Sequence, residues 1–176
     1  AMTLAAEVIK ASIQKAGIDP SKVDEVLFSN LMNNDNGSPA RMAWLAADMP
    51  MEVPGATIER RCASSLTALA FAAALIESEH ADIVMAGGVD SYSQQPILVK
   101  RPEQAYPSTL KILEVKRSPD NIGDVSMLQT AENLAEQYGI SRAACDEFAC
   151  RSHKLAAAAW AERLFDEQIV PITIPQ

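Results

Sequence analysis

The chain has 176 residues, 48% hydrophobic and 22% charged, which is enough for one ordinary core without disulfide or metal staples. Lys and Arg number 15 against 23 Asp and Glu, and a net charge of -8 excludes the clustered positive charge that nonspecific nucleic-acid binding needs. No apolar run approaches a membrane span, and the three cysteines are an odd, irregularly spaced set that suits a reducing, cytoplasmic setting.

The Ala before Met2 reads as a cloning scar, and no signal peptide is expected, because a helical pattern containing Glu7 and Lys10 follows directly. Leu4, Ala5, Val8, Ile9, Ile13 and Ala16 form an i, i+4 stripe, ended by Gly17 and the Asp19-Pro20 turn. Asp24 to Ser29 predicts a short strand, followed by a polar loop from Asn30 to Gly37. Ser38 and Pro39 predict a capped helix through Trp44, stopped at Met49-Pro50. Ala56 to Arg60 predicts a second strand that runs into Cys62 and then into a helix from Ser64 to Ser78. Asp82 to Ala86 predicts a third, closed by Gly87-Gly88. This alternation predicts an α/β fold with βαβ units around a mainly parallel sheet.

From Gln94 to Ser126 the pattern is lost, with Pro96, Pro102, Pro107 and Pro119 marking a loop excursion. Thr130 to Tyr138 predicts a helix, and Ser141 caps a long one to about Arg163. Ile169 to Ile174 predicts a last extended piece, kept to an edge by Pro171.

Cys62 is the sharpest chemical feature. A cysteine where a strand meets a helix lies beside free backbone N–H groups and the positive end of the helix dipole, which lowers a thiol pKa. Arg60 and Arg61 add charge nearby. No charged residue occurs from Ala63 to Ile76, which predicts a helix buried on all sides and a dry site reached from one direction. That suits a nucleophile. Free cysteines are also commonly buried structural residues, and spacing alone leaves the two readings level.

Asp146, Cys150 and His153 at i, i+4 and i+7 invite a metal reading. One helix offers at most three such ligands and no second cluster exists, so no metal is expected. The stripe Cys145, Phe148, Ser152, Leu155 and Ala159 is expected to pack. His80 reads as a solvated loop residue. Gly87-Gly88 lacks dinucleotide-loop spacing and reads as a tight turn needing positive φ. Lys100, Arg101, Lys111, Lys116 and Arg117 form the basic stretch, equally a solvated loop or a contact for phosphates.

The stretch TIERRCASSLTALAFAAALIESEHADIVMAGGVDSYSQQP resembles the thiolase family. Cys62, Ala63, Ser64, Ser65 and Leu66 match its nucleophile segment. Ala86, Gly87, Gly88, Asp90, Ser91, Tyr92, Ser93 and Pro96 match the motif that ends the next strand. Pro39, Ala40 and Arg41 match a further helix, and the segment from Thr130 to Pro175 matches in order.

The resemblance implies a thiolase-like layered fold, present as part of an N-terminal half. Residues 1–93 would be the α/β half lacking its first strand, with residues 94–176 a helical loop-domain excursion. That missing strand would be central, leaving Asp24–Ser29 and Asp82–Ala86 without the neighbour between them. It implies acyl transfer between coenzyme A thioesters, by thiolysis of a 3-ketoacyl-CoA or condensation of two acetyl-CoA units. Cys62 would carry the acyl group, and its N–H would form part of an oxyanion hole. Met127 would stand beside the acyl and pantetheine region, although Ser126 and Leu128 replace the family's flanking residues.

Coenzyme A is then a substrate and no cofactor is bound. Partners would be CoA thioesters, with a second copy of the chain or a missing C-terminal half. The activating histidine, second cysteine and orienting asparagine belong to that other half, and neither His80 nor His153 matches them. The isolated chain is expected to be inactive. The alternatives are a non-catalytic half that pairs with another chain, and a related decarboxylating ketosynthase, which the Ala86–Ser91 and Thr130–Asn133 segments oppose.

Overall fold

The computed structural model describes residues 1–32, 37–103, 109–113 and 115–173. Asn33–Asn36 of the polar loop, Pro107, and the end of the last extended piece from Ile174 lie outside the described residues. Two compact units are present: residues 1–97 with the chain from Val170 onward, and residues 98–169.

In the first unit, helix α1 (Met2–Ala16) buries Ala5, Ala6, Ile9 and Ile13 and ends where Gly17 takes φ 65°. Gly17 fits because a left-handed residue is the usual stop at this position. Asp19 turns the chain, its Oδ1 accepting from Ser21 N at 3.0 Å and Ser21 Oγ at 2.8 Å. Strand β1 (Glu25–Ser29) follows, then α2 (Pro39–Ala46), β2 (Gly55–Ile58), α3 (Ser64–Glu77) and β3 (Val84–Gly88).

The sheet order is β2-β1-β3, parallel throughout. Here the expected gap is corrected. β1 pairs directly with β3, Glu25 opposite Val84 and Ser29 opposite Gly88, so no strand intervenes. β1 is the inner strand because both its faces are apolar. Val26 and Phe28 enter a core with Ile9, Ala43 and Trp44 of α1 and α2, while Leu27 packs against Ala68 and Ala72 of α3. Helices therefore cover both faces, as parallel strands require.

The Ser38 cap is also corrected, since its side chain caps nothing and its Oγ instead donates to Gly55 O at 3.4 Å. Helix α2 is held by other bonds. Ala40 N donates to Thr57 Oγ1 at 3.0 Å, and Trp44, fully buried, donates from Nε1 to Pro50 O at 2.8 Å. The Arg41 guanidinium donates to the carbonyls of Met51 and Val53. Gly55 is needed at this crossing, because a Cβ there would stand 3.1 Å from Arg41 N.

Helix α3 is not buried all round. Ser64, Thr67, Ala68 and Ala72 face the sheet, whereas Leu66 is 71% exposed and Phe71 53% exposed. Absence of charge told of an apolar surface, but only one side of it is covered by the described residues. Gly87 and Gly88 form no tight turn. They lie in β3, and the glycines of positive φ are Gly17, Gly123 and Gly139.

Asp24 ties the start of β1 to the approach to β3. Its Oδ2 accepts from Asp82 N at 2.8 Å and Ile83 N at 2.9 Å. These backbone bonds, Ile83 first, hold its carboxyl below the ordinary range. A lowered folded-state pKa stabilises the fold above the unfolded value, and that contribution is lost as pH falls through the folded one. Asp24→Asn is therefore expected to lower Tm near pH 7, and thermal scans should show the gap to wild type narrowing below about pH 4. A gap independent of pH would count against the carboxylate.

The second unit contains α4 (Met127–Tyr138) and α5 (Arg142–Ala161). Helix α4 starts three residues before the expected Thr130, because Ser126 Oγ caps it by accepting from Gln129 N at 3.1 Å. Ser141 Oγ caps α5 as expected, accepting from Ala144 N at 3.2 Å. Trp160 and Phe165 meet edge to face at 5.9 Å. The packing stripe on α5 is corrected: Cys145, Phe148, Ser152 and Leu155 are exposed, since no described residue covers that face. In the excursion, Lys100 N donates to Lys111 O and Leu113 N to Leu98 O, both at 2.8 Å, around an antiparallel bridge. Through Thr173 the last extended piece forms no strand pairing among the described residues.

Candidate active site

The carboxyl ends of the three parallel strands lie along one edge of the sheet, where open α/β sheets place their ligand sites. Three groups of residues meet there.

The first is the turn between β2 and α3. After Ile58 the chain passes Glu59 and Arg60, and Arg61 takes φ 51°. A non-glycine residue in the left-handed region costs about 1 kcal/mol or more and needs surrounding bonds to hold it. Ser64 Oγ supplies two of these, accepting from Arg60 N and donating to Arg61 O, each at 2.6 Å. Ser64 is buried, at 3% exposure. Arg61 N donates to Glu59 Oε1 at 2.8 Å. Thr67 Oγ1 donates to Ala63 O at 2.9 Å and accepts from Arg60 Nη1 at 3.4 Å.

Cys62 stands on this elbow, one residue before the N-cap Ala63, and its side chain is exposed. The expected dry, enclosed thiol is therefore corrected within this chain, because α3 is covered on the sheet side alone. The expected position, between strand and helix N-terminus, is the observed one.

The second group links β1, α3 and β3. Ser29 Oγ and Ser65 Oγ are hydrogen-bonded at 2.7 Å. Gly88 lies opposite Ser29, and a Cβ on it would fall 2.0 Å from Ser29 Oγ and 2.2 Å from Ser65 Oγ. The third group is a polar clamp beyond the strands. Buried Asn30 donates from Nδ2 to Val89 O at 2.7 Å. Asp90 Oδ1 accepts from Leu31 N at 3.0 Å and Met32 N at 2.7 Å. The sequence motif contained Gly88 and Asp90, but Ser29 and Asn30 carried no local signal. Their partners are 36 and 59 residues away.

Met127 is the first residue of α4 and is 67% exposed. Cys145 and Cys150 are exposed on α5, and no group of three or more metal-type ligands exists among the described residues. An open depression lined by Glu147, Cys150, Arg151, Lys154 and Leu155 belongs to that one helix. Of the basic stretch, Lys100 pairs with Glu103 at 3.1 Å and Lys116 with Asp120.

The model of the thiolase N-terminal domain matches residues 1–176. The chain belongs to the thiolase family. A β-ketoadipyl-CoA thiolase of Acinetobacter baylyi is 40% identical over 98% of this chain and 46% of its own. An acetyl-CoA acetyltransferase of Cupriavidus necator is 39% identical over 98% of this chain and 45% of its own. The crystal structure of a Bacillus anthracis acetyl-CoA acetyltransferase superposes with a TM-score of 0.88 at 38% identity, covering 99% of this chain and 45% of that one. This thiolase chain thus spans about half the length of the relatives it matches. The fold expectation, a thiolase-like α/β arrangement around a parallel sheet, holds. No helix of the described residues is long and apolar enough to cross a membrane.

Proposed function

We propose that this chain is the nucleophile-bearing part of a thiolase that transfers acyl groups between coenzyme A thioesters, with Cys62 as the acyl carrier. The observation that carries the reading is the elbow. An exposed thiol sits on a left-handed turn, at the carboxyl edge of a parallel sheet and before a helix N-terminus.

In the thiolysis direction the Cys62 thiolate attacks the 3-keto carbon of the substrate. The keto oxygen takes the electron pair as an alkoxide. The alkoxide then reforms its carbonyl as the bond between carbons 2 and 3 breaks. That electron pair leaves on carbon 2 as the enolate of acetyl-CoA and is protonated there. The shortened acyl group remains as a thioester on Cys62. Coenzyme A thiolate attacks it, acyl-CoA departs and the Cys62 thiolate returns. Donors near the alkoxide lower both barriers, and the Cys62 N–H is the one this chain would supply.

Met127 is assigned to the acyl and pantetheine region, and coenzyme A is substrate rather than cofactor. The activating base and remaining oxyanion donors are assigned to a C-terminal part beyond these residues, which would also cover the apolar side of α3. Cytoplasmic location and association with a second copy complete the reading.

The test is labelling with a bromoacetyl thioester followed by mass mapping of all three cysteines. Cys62 is expected to take the label first, ahead of Cys145 and Cys150, because it alone of the three stands on the turn at the carboxyl edge of the sheet, where the acyl thioester would be held. Equal labelling of the three would sink the assignment.

A further inference from the structure

We infer that Ser64 is a positioning residue for Cys62, and that Ser65 supports the same elbow from the side of β1; the inference rests on Cys62 being the acyl carrier. Ser64 occupies the first helical position of α3, a place where a helix has no need of a hydroxyl in itself. Its Oγ nevertheless makes two bonds of 2.6 Å, accepting from Arg60 N and donating to Arg61 O. These bonds run backwards, across Cys62, to the two residues that precede it. They close the turn into a ring that contains the thiol-bearing residue.

The ring has a job that packing alone does not perform. Arg61 is held at φ 51°, which an arginine leaves readily when nothing opposes it. The Arg61 side chain is 61% exposed, so no wall of neighbours imposes that conformation. The bonds on its backbone are Arg61 N to Glu59 Oε1, Ser64 N to Arg61 O at 3.0 Å, and the Ser64 Oγ bond. Ser64 Oγ touches both Arg60 and Arg61, and Ala63 N donates to Arg60 O at 3.2 Å beside it. If Arg61 relaxes, the Cα–Cβ direction of Cys62 swings with it, since the φ of one residue sets the path of the next.

Ser65 restrains the helix end of the same elbow. Its Oγ bonds Ser29 Oγ at 2.7 Å, and Gly88 leaves the space in which the two hydroxyls meet. The first turn of α3 is thereby tied to the carboxyl end of β1. The two serines thus restrain the elbow from its strand side and its helix side.

The experiment uses the 176-residue chain and reads the alkylation rate of each cysteine with iodoacetamide, and separately with a bromoacetyl thioester. Ser64→Ala is expected to slow Cys62 about tenfold with the bromoacetyl thioester, the size of effect that a small misplacement of a reacting group produces, and to change the iodoacetamide rate of this exposed thiol less. Cys145 and Cys150, on α5, are expected to keep their rates. Ser64→Thr retains the hydroxyl and is expected to restore most of the Cys62 rate. Ser65→Ala, expected to slow Cys62 a few-fold, decides the matter should Ser64→Ala fail to fold. Wild-type Cys62 rates in the folded alanine variants would overturn the inference. Failure of the acyl-carrier reading is seen separately, as a wild-type chain whose Cys62 shows no preference for the thioester over Cys145 and Cys150.

Discussion

The isolated 176-residue chain is expected to catalyse no thiolysis of a 3-ketoacyl-CoA above the uncatalysed thiol background. Attack by Cys62 needs a base to make and keep the thiolate, donors for the alkoxide, and a group to return the proton to carbon 2. The elbow supplies a thiol and one backbone N–H. His80 follows the C-terminal end of α3, the end opposite Cys62, and is hydrogen-bonded to Ser78, and His153 lies on α5. Removing one member of a catalytic set commonly costs as much as removing all of them, on the order of 10³ or more. A full-length relative in which these 176 residues replace its own first part is expected to turn over. Cys62→Ser in that chimera is expected to lower kcat by at least about 10³. Steady-state assays decide both points. Robust turnover by the isolated chain would show that no further groups are required, and a chimera indifferent to Cys62→Ser would remove the nucleophile.

Gly88→Ala is expected to be the most damaging small substitution near the site. The added Cβ would lie 2.0 Å from Ser29 Oγ and 2.2 Å from Ser65 Oγ, far inside contact distance. Either hydroxyl can turn away only by giving up the 2.7 Å bond between them, and Ser29 sits on the buried strand β1. Overpacking of this kind costs about 3 kcal/mol, or roughly 10 °C in Tm for a chain of this size. Gly87→Ala is the control. Its Cβ would meet the Phe28 ring at 3.0 Å, a softer contact, and a smaller loss is expected. Removing the Ser65 hydroxyl in the Gly88→Ala background is expected to recover part of the stability, because the two positions share one space. Thermal melts of the four proteins test this. Equal Tm for Gly88→Ala and wild type would contradict the geometry of the strand end.

Much of the fold was legible locally. The α1 helix, the Gly17 stop, the first strand and the Ser141 cap depend on neighbours a few residues apart and stand where their patterns placed them, while β2 and β3 run Gly55–Ile58 and Val84–Gly88 rather than Ala56–Arg60 and Asp82–Ala86. The errors share another cause. Ser38 looked like a cap, but Gly55 O, 17 residues away, takes its hydroxyl. Gly87-Gly88 looked like a turn. They are glycines because Phe28, Ser29 and Ser65 press on them from β1 and α3. An uncharged helix looked buried on every side, yet hydropathy carries no information about which partner, or how much of one, is present.

The order of elements, the α/β class and the choice of Cys62 as the residue to watch came from sequence alone. Helix caps, strand alternation and the run of residues around a nucleophile are written at short range, so they survive being read in one dimension. Tertiary structure decided that β1 lies between β2 and β3, that Gly88 is a space rather than a hinge, and that Ser64 and Ser65 brace the elbow under Cys62. All but the Ser64 bonds are contacts between residues tens of positions apart. Such contacts exist only once the sheet has brought its strand ends to one edge, and no local pattern records them.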